Sequence, residues 1–98
     1  MKYKIKTSIH AKNDRKNIVK YLLQYSVNAP IKFKQELKKH MDFVAATPNM
    51  FSKWDSNPIY RHVVIFGSYV MFYLVDEDTK TVFIYRLLHG SQDIANIL

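Results

Sequence analysis

Tyr69-Val70-Met71-Phe72-Tyr73-Leu74-Val75 is the stretch on which the fold turns. It is an uncharged run rich in aromatic and β-branched side chains, which suit a pleated and buried backbone. Because alternate residues point to opposite faces, the run is apolar on both sides. One face must cover helices. The other needs cover as well or is left exposed, and its Tyr and Met side chains are types enriched at protein interfaces. Two similar runs flank it. Ile59 to Phe66 precedes it, joined through Gly67-Ser68 in a tight hairpin turn. Thr81 to Leu88 follows after the polar turn Asp76-Glu77-Asp78-Thr79-Lys80, and Gly90 stops that third run. Gln92 to Leu98 is a short tail with room for a helical turn.

Upstream the period changes. Tyr3 and Ile5 alternate with Lys2, Lys4 and Lys6, the pattern of a short strand with one wet face. Ser8 is placed to cap a helix in which Ala11, Ile18, Leu22 and Tyr25 share a face. Val27-Asn28-Ala29-Pro30 breaks and restarts the chain, with Asn28 as cap and Pro30 in the first turn. Ala29, Phe33, Leu37, Met41 and Val44 then mark a second helix, ending near Ala46 because Pro48 disfavours a helical Thr47. Residues 47–58 form a loop in which Phe51 and Trp54 close one end of the core. The expected order is β-α-α-β-β-β, an α+β architecture with a helical hairpin packed on an antiparallel sheet, and residues 1–98 are read as one domain.

Hydrophobic residues make up 48% of the chain, enough for a packed core rather than a disordered polymer. Cysteine is absent, which excludes disulfides, thiolate metal sites and a Cys nucleophile. The first residues lack an apolar leader core and no run reaches the ~18 apolar residues of a membrane span, so a soluble cytoplasmic protein with no membrane partner is expected. His10, His40 and His62 are scattered without ligand spacing, so no metal and no cofactor are expected. Only Gly67 and Gly90 are present, too few for a phosphate-cradling loop. The net charge of +7 is unevenly spread: residues 1–40 carry +9 and residues 41–98 carry −2. A basic half of that size suits a nucleic acid, a ribosome or an acidic protein; it is also what a solvated Lys-rich helix surface looks like.

These features together resemble the RelE/ParE toxin superfamily of type II toxin–antitoxin systems, and its ParE branch most closely. The likeness runs through nearly the whole chain. Gly67 to Asp76 resembles the family's hairpin strand ending at an acidic turn, with Arg61 before it where the family commonly has Arg. Arg86-Leu87-Leu88-His89-Gly90-Ser91-Gln92-Asp93-Ile94 resembles the ParE-type ending, and Pro48 matches the proline after the second helix. The resemblance implies a plasmid-stabilising toxin with two partners. One is an acidic-tailed antitoxin that wraps across the helices and sheet. The other is DNA gyrase, as for ParE-like members, or alternatively the ribosome and its mRNA, as for RelE-like endoribonucleases.

Metal-free RNA cleavage needs a base, an acid and cations around the phosphate. Arg61, Arg86 and His89 are the candidates for these roles. Each has a plainer reading: Arg61 paired with Asp55 or Asp76, Arg86 turned to solvent or to a carboxylate, His89 a hydrogen-bonder at a strand end. The chain departs from the nuclease pattern, with Val70 where a second basic residue is usual, Gly90 where a Tyr or similar group often stands, and Lys53 alone in the loop. A gyrase-binding toxin without catalysis of its own is therefore the first expectation, and an endoribonuclease the second. Charge and patterning assign antitoxin contacts to Lys12, Arg15, Lys16 and Lys20, and to Tyr69, Phe72 and Tyr73 on the two-faced strand.

Overall fold

The computed structural model describes residues 2–98. Its elements are β1 (Lys4–Thr7), α1 (Ile9–Leu23), α2 (Asn28–Ala46), β2 (Arg61–Ile65), β3 (Tyr69–Asp76), β4 (Thr81–His89) and α3 (Ile94–Ile97). The order is the expected β-α-α-β-β-β, with the tail adding one short helix. Four strands form one sheet in the order β1-β4-β3-β2. β2, β3 and β4 are an antiparallel meander, whereas β1 pairs with β4 in parallel, Lys4 opposite Thr81 and Thr7 opposite Ile84. The sheet is therefore mixed rather than antiparallel. The long connection through the helical hairpin and the meander is what permits a parallel partner.

Ser8 starts α1 as read: its Oγ accepts from Ala11 N–H at 3.0 Å and donates to the Tyr85 carbonyl at 2.6 Å. One hydroxyl thus caps a helix and ties it to β4. At the next junction the cap is not Asn28. Ser26 Oγ accepts from the Asn28 N–H at 3.2 Å, and Asn28 is already helical. α1 ends two residues before Tyr25, so that ring leaves the buried face assigned to it and is 72% exposed.

The helical hairpin covers one side of the sheet. Ala11, Ile18, Phe33, Leu37 and Val44 pack against Ile65, Met71, Tyr73, Val82 and Ile84. The Tyr73 hydroxyl donates to the Pro48 carbonyl at 2.7 Å, and burial pushes its pKa up to about 12 against the opposing pull of the nearby Arg61. Across the β2–β3 turn, Phe66 and Gly67 both take positive φ, 55° and 74°. Such a conformation is costly for Phe, and its ring is held edge-on to Phe33, centroids 6.1 Å apart.

The opposite side of the sheet has its own cover. Tyr60, Val70, Phe72 and Leu88 form a second buried cluster, packed by Trp54 and Tyr85 and by Ile94, Ile97 and Leu98 of the tail. Trp54 stands edge-on to Phe72 at 5.1 Å, and Tyr60 stacks on Tyr85 at 5.0 Å. The two-faced strand is therefore not open to a partner. The loop after α2 and the tail close over it.

Candidate functional site

Arg86 is not a free cation. β1 stops opposite Ile84, which leaves the outer edge of β4 without a strand beyond that point. α1 takes over. Asp14 accepts from Arg86 Nε at 2.7 Å, from Nη2 at 2.9 Å and from the Leu87 backbone N–H at 3.0 Å. One carboxylate thereby completes the strand edge and holds a guanidinium in a two-pronged pair, which raises the already high pKa of Arg86. The side chains are 21% and 14% exposed. The Asp14 signal was present in the sequence: it stands three residues after Ala11 and four before Ile18, on the buried stripe of α1, where an acid needs a cation.

Arg61 opens β2 opposite Tyr73. Its Nη1 donates to the Phe51 carbonyl at 2.7 Å, and among the described residues it makes no ion pair with Asp55 or Asp76. It lines an open cavity with Asn49, Lys53, Val75 and Glu77. His89 closes β4 opposite Tyr69, its ring edge-on to that of Tyr69 at 5.2 Å. Nδ1 accepts from the Ser91 backbone N–H at 3.0 Å and sits 2.7 Å from Ser91 Oγ, which leaves the proton of a neutral ring on Nε2.

These three side chains do not meet. Tyr73 and Tyr69, the β3 partners of Arg61 and His89, lie four residues apart, roughly 13 Å along the strand, and β2 and β4 are two strand spacings apart, roughly 10 Å. General acid–base chemistry needs its groups within about 3 Å of the protons they move. Arg86 is committed to Asp14, so no trio surrounds one phosphate.

The docking candidates separate into two groups. Lys12, Arg15, Lys16 and Lys20 are exposed along α1. Tyr69, Phe72 and Tyr73 are 5%, 0% and 0% exposed and belong to the two cores, so as contact residues they are corrected: burial gives them to the fold. The structure brings together residues that the sequence did not single out. Between α1 and α2 runs a groove lined by Ile5, Leu37 and Met41 and edged by Arg15, Lys34 and Lys38, the last paired with Asp42 at 3.3 Å. Beside it Lys12 and Arg15 flank a second recess over Ala11, Ile84 and Leu87. Among the described residues no group of three His, Cys, Asp or Glu is arranged for a metal ion, and no helix is long and apolar enough to cross a membrane.

No curated protein matches the chain in sequence. Among solved structures, a chain of the chromosomal ParDE toxin–antitoxin system of P. aeruginosa superposes with a TM-score of 0.72 at 17% identity, covering 89% of this chain and 95% of its own. A mutant of the E. coli toxin RelE in the free state gives 0.70 at 16% identity, covering 99% and 93%. The RelBE toxin–antitoxin complex of Mycobacterium tuberculosis gives 0.61 at 16% identity, covering 91% and 99%. At such identities the likeness shows the fold alone. The sequence profile for the ParE toxin of type II toxin–antitoxin systems, parDE, goes further by matching residues 5–94, and the chain belongs to that ParE toxin family.

Proposed function

We propose that this toxin acts by binding DNA gyrase and carries out no catalysis of its own. The dispersal of Arg61, Arg86 and His89 supports this reading, since none of them shares a reacting centre with another. Adding the purified protein to gyrase should inhibit supercoiling and accumulate cleaved DNA. If gyrase is untouched at micromolar protein while translation stops, the ribosome takes its place. Toeprinting would then show cuts at A-site codons that disappear in Arg61→Ala.

The same reading gives the chain an acidic antitoxin. The groove between α1 and α2 offers an apolar floor and a basic rim, which Lys16 and Lys20 extend along α1. A disordered segment with carboxylates flanking Leu, Ile or Phe anchors fits both. Rim charges act mainly on the encounter rate. Association with the antitoxin should therefore slow as salt rises from ~50 to ~500 mM, over which the screening length shrinks several-fold. Stopped-flow rates that ignore salt over that range remove the electrostatic part of this picture.

A further inference from the structure

The far end of the helical hairpin carries a different surface. Tyr21-Leu22-Leu23-Gln24-Tyr25-Ser26-Val27-Asn28-Ala29-Pro30-Ile31 contains no charged residue, in a chain with 15 Lys/Arg and 8 Asp/Glu. Yet most of the stretch is exposed, Pro30 being its one buried residue. Tyr21, Leu23, Tyr25, Val27 and Ile31 are 52–74% exposed, five of the nine large apolar side chains that are at least half exposed among the described residues. Tyr21 and Tyr25 hold each other in place, ring centroids 5.2 Å apart and planes tilted by 58°. Tyr21 also lines a recess with Ile18, Tyr69 and His89, which carries the apolar surface down to the end of β4. Lys20 and Lys32 border the neutral stretch on either side.

We infer that this hairpin tip is the surface with which the toxin grips its protein target, separate from the groove assigned to the antitoxin. The inference rests on the reading that the protein acts by binding. From Arg15 at the groove to Leu23 at the tip is about 12 Å along α1, so the two surfaces are distinct and adjoin at Lys20. The chemistry selects the occupant. Leu23, Val27 and Ile31 have nothing to offer a phosphate or a base edge, which disfavours a nucleic acid. A second copy of the chain would set two lysine-bordered rims facing each other with no carboxylate in the stretch to meet them, which disfavours self-association. A protein surface with an apolar centre and a rim of carboxylates satisfies both the aromatic anchors and the bordering lysines.

The test compares the wild-type protein with Tyr25→Ser/Val27→Ser and with Ile59→Ser, which removes an equally exposed apolar side chain far from the tip. Purified gyrase is the probe in vitro, and growth after induction reports on any target. The tip variant should melt like the wild type, need roughly thirtyfold more protein to inhibit supercoiling, as for loss of an aromatic anchor, and no longer arrest growth. Ile59→Ser should behave as the wild type. Should the double variant lose its fold, Val27→Ser alone carries the same comparison. A folded tip variant that inhibits gyrase and arrests growth undiminished overturns the inference. If the wild type arrests growth without touching gyrase and the tip variant does not arrest growth, the gyrase reading falls and the tip stands as the grip on another protein. A wild type that arrests no growth overturns both. Dimers in sedimentation equilibrium, or flotation with phosphatidylethanolamine–phosphatidylglycerol vesicles, that disappear in the tip variant would assign the surface to a second copy or to lipid and overturn the inference.

Discussion

Phe72→Ala should destabilise the protein by about 3–5 kcal/mol, the usual cost of deleting a buried ring. Phe72 is fully buried, edge-on to Trp54, in the cluster that seals the side of the sheet away from the helical hairpin. The total stability of such a domain is ~5–15 kcal/mol. At ~4–8 °C per kcal/mol the melting temperature should fall by more than ten degrees. Much of the surrounding cover is only partly buried and comes from the tail, which can settle toward the gap; the loss should therefore lie toward the lower end. Thermal melts followed by circular dichroism decide the matter. A Phe72→Ala protein that melts like the wild type but releases its antitoxin faster would return Phe72 to the contact surface and remove it from the core.

Asp14→Ala should cost about 2–4 kcal/mol. Breaking a buried ion pair costs ~3–5 kcal/mol because the surviving charge is stranded, and the figure is reduced here because both side chains keep some contact with water. The substitution also leaves the Leu87 N–H without its acceptor at the point where β1 has ended. Asp14→Asn keeps one oxygen for that N–H and should lose less. Arg86→Met on the Asp14→Ala background removes the stranded charge and should restore part of the loss, because an apolar replacement of similar length no longer needs a counter-ion. Urea midpoints for the two single variants and the double variant give the coupling directly. Equal midpoints for Asp14→Ala and the wild type would mean that the pair is incidental to stability.

The parts of this fold that local chemistry dictates were readable in the sequence. Ser8 announced α1, the spacing from Phe33 to Val44 announced α2, and Pro48 placed its end at Ala46. The runs that became β3 and β4 needed only their aromatic and β-branched content. What escaped depends on contacts between distant segments. No local pattern says that Lys4 lies beside Thr81, or that the pair is parallel. The apolar outer face of β3 looks the same whether a partner or the chain's own Trp54 and Leu98 covers it. Arg61, Arg86 and His89 could be picked by residue type, but only the register separates Arg61 from His89. Asp14 was legible as an acid on a buried stripe, and its significance emerged once Arg86 stood opposite.

The parallel pairing of the first strand with the last has a consequence for how the protein comes into being. Strand residues 77 positions apart must meet, so β1 leaves the ribosome and waits. At ~5–20 residues per second the wait is roughly 4–15 s. During it the helical hairpin can form from local contacts, but Asp14 has no arginine and Ile5 has no neighbouring strand. The sheet closes only when Thr81 to His89 emerge. A messenger broken before that codon, or a ribosome stalled short of it, yields a chain with no completed domain. The completed sheet, and every surface built on it, is thus withheld until β4 has been translated.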